Sequence, residues 1–193
     1  MRSFIAVVFA GIFLGAAPDK YDFFQQLAQA AAQLTKQPVT YDPSYYNIPY
    51  PNGDVPANKG VCADVVIRAY RKLGIDLQQL VHEDMLQNFQ AYPQKWGLRQ
   101  TDKNIDHRRV LNLATFFSRK GTILAVNNNA KSYQPGDIVC WMVNGKLPHI
   151  GIVVIPKSSD QQRHLIVHNI GRGQVIEDVL FSYPITGHYR YQP

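Results

Sequence analysis

The sequence predicts an α+β fold, with helices in the first two thirds of the chain and an antiparallel sheet in the last third. Two observations carry this. Up to about Lys120, apolar residues recur at three- and four-residue intervals, the helical period. From Tyr133 onward they fall in short Val- and Ile-rich runs separated by Pro, Gly and polar residues, the pattern of strands. Helices followed by strands, rather than alternating with them, indicate α+β.

The first seventeen residues stand apart. Met1-Arg2 precedes an apolar run from Phe4 to Leu14, followed by Gly15-Ala16-Ala17. A charged start, a short apolar stretch and small residues at its end are the pattern of a signal peptide, too short for an ordinary membrane span. Residues 1–17 are therefore expected to be removed on export. Residues 18–193 are expected to form one soluble, monomeric domain in the periplasm or outside the cell.

The first helix is expected from Asp19 to about Gln37, with Tyr21, Phe24, Leu27, Ala28, Ala31 and Leu34 on one stripe and Pro38 as its stop. Tyr41 to Gly60 is a long loop rich in tyrosine and turn formers, expected to wall a groove. Then comes Gly60-Val61-Cys62-Ala63-Asp64-Val65-Val66, which continues to Gly74. Val66, Ala69, Tyr70 and Leu73 keep the helical period, so Cys62 is expected in the first turn of a helix that Gly74 ends. Unpaired N–H groups and the macrodipole there favour a thiolate, so its pKa is expected to fall. This stretch alone fits a nucleophile and a buried structural thiol equally.

A second helix is expected over Asp76 to Tyr92, with His82-Glu83-Asp84 on a solvated face rather than around a metal. A third is expected over His107 to about Lys120, with Asp106 as N-cap and Gly121 as its end. His107-Arg108-Arg109 reads as a solvated face or, less simply, as a cradle for a substrate carboxylate. Five strands follow, Ile138 to Val143, Ile150 to Ile155, Leu165 to His168, Gln174 to Val179 and Thr186 to Tyr191, as an antiparallel meander.

The net charge of +6 is spread along the chain. No nucleic-acid motif is present, and for an exported protein an anionic polymer such as cell wall is the better partner. The two cysteines, Cys62 and Cys140, could form a disulfide after export. Both are expected to be reduced instead, Cys140 being structural.

His149 opens one strand and His168 lies in the next, with Gly151 on the face of His149. That glycine is expected to let the Cys62 helix approach. A helix-start cysteine and two histidines complete a nucleophile, a base and an orienter. Cys62 would attack a carbonyl, His149 would move the proton, and His168 would hold the His149 ring. The Cys62 N–H would be the first oxyanion donor. Asp64, with Arg68 four residues on at ion-pair spacing, is expected to be structural or to line the cleft, without moving protons. No metal and no cofactor is expected.

Here the sequence resembles a known family. Gly60-Val61-Cys62-Ala63-Asp64-Val65-Val66 with Tyr70-Arg71-Lys72-Leu73-Gly74-Ile75-Asp76-Leu77 is similar to the nucleophile helix of the NlpC-type cell-wall cysteine peptidases. Pro135-Gly136-Asp137-Ile138-Val139, His149-Ile150-Gly151-Ile152-Val153 and Val167-His168 resemble their later strands. The resemblance implies a minimal papain-like fold and hydrolysis of amide bonds in peptidoglycan stem peptides through a thioester. It also implies that Tyr50, twelve residues before Cys62, lies near the oxyanion and substrate amine. Three departures stand out: Val61 where the family has Asp, a helical insertion at about 78–132, and a longer hairpin from Pro156 to Arg163. The whole chain is most similar to an exported bacterial branch of that superfamily known chiefly as a domain of unknown function. A non-catalytic wall-binding module and a thiol-dependent acyltransferase are the alternatives.

Overall fold

The computed structural model describes the backbone from residue 20 and the side chains from residue 23 to the C-terminus. The expected signal peptide lies outside the described residues.

Helix α1 (Lys20–Leu34) buries Phe24, Leu27, Ala28, Ala31 and Leu34 on the stripe read from the sequence. It packs on α2 (Cys62–Arg71), which is buried on every side from Cys62 to Tyr70. α2 is thus the central rod of the helical layer. Its two charged residues inside that span, Asp64 and Arg68, are there only because each has a charged partner. Gly74, at φ +78, turns the chain after α2, and the Ile75 N–H donates to Tyr70 O at 3.1 Å.

Helix α3 (Leu77–Asn88) starts at Asp76, whose carboxylate accepts from the Gln78 N–H at 2.9 Å. Asp84 is not on a solvated face as expected. It is buried and binds Arg119 (2.7 Å) and Lys120 (3.0 Å) of α4 (Val110–Lys120), tying the two helices together. The third helix starts later than expected. Asp106 bonds backward to the Asp102 N–H at 2.5 Å, closing a loop instead of capping a helix. Asp106–Arg108 is a single 3₁₀ turn, and His107 and Arg108 are buried.

The sheet contains β3 (Thr122–Ile123), β4 (Ile138–Val143), β5 (Leu147–Lys157), β6 (His164–His168), β7 (Val175–Glu177) and β8 (Ile185–Arg190). Its order is β3-β8-β4-β5-β6-β7, antiparallel throughout. β4 to β7 form the expected meander, but β8 crosses back to the free edge of β4. The fold is α+β as expected, with helices on one face of the sheet. Ile138, Cys140, Ile150, Ile152, Val154 and Val167 join the core shared with the helices. Val139, Trp141, Val153 and Ile166 pack on the opposite face with Tyr133 and Leu180. A separate two-stranded pair, β1 (Thr40–Tyr41) parallel to β2 (Lys59–Gly60), draws the 41–60 loop closed beside the start of α2. Among the described residues no helix is long and apolar enough to cross a membrane.

Candidate active site

Cys62 is the first residue of α2 and is 5 % exposed. Val61, extended at φ −117, is the N-cap but has no side-chain acceptor. Asp64 compensates by reaching back: its carboxylate accepts from the Val61 N–H at 2.7 Å. The same carboxylate binds Arg108 through Nε (2.9 Å) and Nη2 (3.0 Å), both side chains being almost wholly buried. Asp64 therefore anchors the turn that carries Cys62, and does not line a cleft. The expected partner Arg68 turns to Asp54 instead, at 3.0 Å. Gly60 is tightly packed here, because a Cβ would lie 3.2 Å from both Asp64 and Arg68 atoms.

The main-chain N–H groups of Ile150, Ala63 and Cys62 itself face the Sγ atom. These favour the thiolate, as the helix-start position predicts. Burial opposes them and wins, with help from the Asp64 charge, and the thiol is pushed up to about 11. The expected fall in pKa is thus reversed in this closed site. Cys140, on β4 opposite Ile150, is also a free buried thiol, raised far above its ordinary value by burial.

His149 lies on β5 against its cross-strand neighbour Trp141, their rings 5.9 Å apart. Its Nε2 is 2.9 Å from His168 Nδ1, and His168 Nε2 is 2.9 Å from Glu177 Oε2 on β7. The order of this row fixes its protons. A carboxylate only accepts, so His168 Nε2 carries a hydrogen and, in the neutral ring, His168 Nδ1 accepts. His149 Nε2 must then donate, which leaves the lone pair of His149 on Nδ1. Burial, reinforced by His168, holds His149 down to about 3. Burial also lowers His168, against the pull of Glu177. Both rings are neutral near pH 7.

Gly151 does not make room for α2 as expected. A Cβ there would lie 2.7 Å from Ile166 Cγ2, 2.8 Å from Val167 O and 3.2 Å from His168 Cβ. The missing side chain lets β6 close on β5, so that His168 reaches across to His149. Just beyond, Asn169 Nδ2 donates to Gly60 O at 3.2 Å, tying the end of β6 to the turn before Cys62. The Ile150 N–H faces the thiol, so Cys62 lies beside the residue of β5 that follows His149. His149 and His168 are thus joined directly, and Cys62 stands beside the next residue of β5.

Tyr50 is not among them. Its ring packs on His82 at 5.2 Å with Lys103 Nζ 5.7 Å away, on the α3 side of the loop. Tyr41 stands nearer the thiol: burial raises its phenol, and the charges of Cys62 and Asp64 raise it further. The β1–β2 pairing explains the exchange, since Tyr41 is the partner of Gly60. Sequence reasoning missed Glu177 and Asn169, and gave Arg108 and Tyr41 other parts, a solvated face or carboxylate cradle and a groove wall. Only Asn169, adjacent to His168, carried a local signal.

Known proteins can be set beside this geometry. The structure of NlpC1 from Trichomonas vaginalis aligns over 86% of this chain and 44% of its own, at 15% identity and a TM-score of 0.47. The chain thus spans under half the length of that protein. An uncharacterized protein of Escherichia coli strain K12, YijF, is 51% identical over 165 residues, 86% of this chain and 80% of its own. Residues 28–191, nearly the whole described chain, match a family described as a domain of unknown function, DUF1287, and the chain belongs to that family.

Proposed function

We propose that the protein is a cysteine amidase or endopeptidase that hydrolyses amide bonds in peptidoglycan stem peptides, acting in the periplasm or outside the cell. The observation that carries this is the row Glu177–His168–His149, which leaves a basic nitrogen on the residue before Ile150, whose main-chain N–H faces the helix-start thiol.

Because thiol and imidazole are both neutral at rest, the proton moves as the bond forms. The Cys62 sulfur attacks the amide carbonyl carbon while its proton passes to His149 Nδ1. The imidazolium formed is stabilised through His168 by the Glu177 carboxylate. The tetrahedral oxyanion lies at the α2 N-terminus, with the Tyr41 phenol, kept protonated, as a side-chain donor. Collapse breaks the C–N bond, and His149 returns the proton to the leaving amine. Water then attacks the thioester, giving its proton to His149. The C–S bond breaks, and the proton returns to sulfur. The spread-out positive charge suits an anionic polymer.

The test is mass spectrometry of purified muropeptides after incubation with the protein and with Cys62→Ala. New fragments differing by water, absent with Cys62→Ala, are expected. Products joined to an added amine in preference to water would make it an acyltransferase. Binding without any product would make it a wall-binding module.

A further inference from the structure

A concavity of about 430 Å³ lies on the helical segment between α3 and α4, away from Cys62. It is lined by His82, Leu98, residues 100–104 and Arg109. Its acidic member is already occupied: Asp102 accepts from the Tyr45 hydroxyl (3.1 Å) and from the Asn104 N–H (2.9 Å). Asn104 is likewise spent, on the Tyr45 hydroxyl and the Ile48 N–H.

The cations differ. Lys103 Nζ lies 5.7 Å from the Tyr50 ring centroid, and no carboxylate stands within ion-pair distance of it among the described residues. Arg109 stacks on Trp96 at 4.5 Å and gives Asp106 one contact, at 3.3 Å. A stacked guanidinium keeps most of its in-plane N–H fork for a ligand, and that fork fits a carboxylate with two parallel bonds. The buried Nδ1 atom of His82 has no partner.

We infer that this cleft binds a carboxylate of the peptide substrate, with Lys103 and Arg109 as its cationic contacts. The inference rests on the function proposed above and extends it to a second subsite. The loop that walls both places sets the spacing. Tyr41 lies by Cys62 and Tyr45 holds the cleft wall, and the four residues of chain between them span at most about 13 Å. An extended stem peptide of similar length would reach from one to the other, with its acidic end held and an amide presented to the thiol. The helical insertion, in this arrangement, reads the charge of the peptide. Of His107-Arg108-Arg109, Arg109 alone serves the carboxylate role considered from sequence, while Arg108 braces Asp64.

The test is calorimetry on the Cys62→Ala protein, which binds without turning over. The probes are the tripeptide L-alanyl-γ-D-glutamyl-L-lysine and its form with both carboxylates amidated. The free acid is expected to bind at least tenfold more tightly. Lys103→Ala and Arg109→Ala are each expected to remove most of that preference while the protein stays folded, with Arg109→Ala melting somewhat earlier because it loses the Asp106 and Trp96 contacts. Arg109→Lys should restore only part, since an ammonium lacks the fork. Equal binding of acid and amide, or a preference untouched in both alanine variants, would overturn the subsite. If the preference is found but no peptide is hydrolysed by the native protein, the subsite stands and the hydrolase reading falls. If peptide is hydrolysed without the preference, the subsite falls and the hydrolase reading stands.

Discussion

Two histidine–carboxylate arrangements share one sheet, and they are built to opposite ends. On β8, His188 has both ring nitrogens committed: Nε2 to Asp137 at 2.6 Å and Nδ1 to Ala125 O at 3.3 Å. Tyr133 stacks on its ring at 4.2 Å, and Arg190 takes the second Asp137 oxygen. Across the sheet, Glu177 holds His168, and His168 engages only one nitrogen of His149. Burial is nearly the same, with His188 1 % and His149 4 % exposed. The difference lies in the count of partners. A histidine held at both nitrogens is a strut, whereas one oriented through a single nitrogen keeps the other for chemistry. This is also why a histidine alone in a sequence says so little.

The largest expected effect separates the two directly. His149→Ala should cut turnover of a stem peptide about 10³-fold or more, with the fold intact. His188→Ala should leave turnover per folded molecule close to native, yet lower stability by about 3 kcal/mol, since it strands part of a buried charge network. Urea unfolding and activity on the same samples check both. Comparable losses of turnover would erase the distinction.

Glu177 sharpens it next. Glu177→Ala should lower kcat about tenfold by releasing the tautomer of His168. Glu177→Gln should recover part of that loss, because an amide oxygen still accepts the His168 Nε2–H. A Gln variant as poor as Ala would mean that charge alone matters.

The pH dependence of stability follows from the same burial. His149 sits near 3 in the fold against an ordinary 6.5, so its contribution is fully present above 6.5 and is lost as pH falls toward 3. Cys62 is raised from 9.0 to about 11, so its contribution is present below 9.0 and is lost as pH rises through 11. In His149→Gln the acid loss should shrink, and in Cys62→Ala the alkaline loss should shrink. Denaturation midpoints across the range would show an unchanged acid slope in His149→Gln if this assignment were wrong.

The smallest effect is expected at Cys140. Cys140→Ser places a hydroxyl in an apolar site, at a cost of about 1–3 kcal/mol, while most activity remains. Peptide mapping of active protein under non-reducing conditions should find both thiols free. A native Cys62–Cys140 bridge would contradict this.

What could be read from the chain was what local period controls. The start of α2 at Cys62, the reversal at Gly74 and the alternation of His149 and His168 with core residues are all local patterns, and the structure has them. What could not be read was pairing between distant segments. Asp64 chose Arg108, forty-four positions away, over Arg68 four positions away, because the 3₁₀ turn delivers that guanidinium into the core. Glu177 reaches His168 only because β7 pairs with β6 so that Ile166 lies opposite Glu177, putting the carboxylate diagonal to the imidazole. Tyr41 displaced Tyr50 because a two-residue strand pair decides which end of the loop meets Cys62. The thiol pKa was misread for a related reason. A helix N-terminus is visible in sequence, but the burial that outweighs it is a property of the assembled core.

The central claim is that Cys62 becomes acylated with His149 as its base. Rapid acid quenching of the native protein with a synthetic stem peptide, followed by mass spectrometry of the fragment holding Cys62, tests it most directly. The account predicts a mass gain equal to the acyl part of the peptide on that fragment, labile to hydroxylamine. It also predicts that the gain is absent in Cys62→Ala and formed at least about 10³-fold more slowly in His149→Ala. Peptide hydrolysed at the native rate by Cys62→Ala, with no adduct on Cys62 in the native protein, would contradict it.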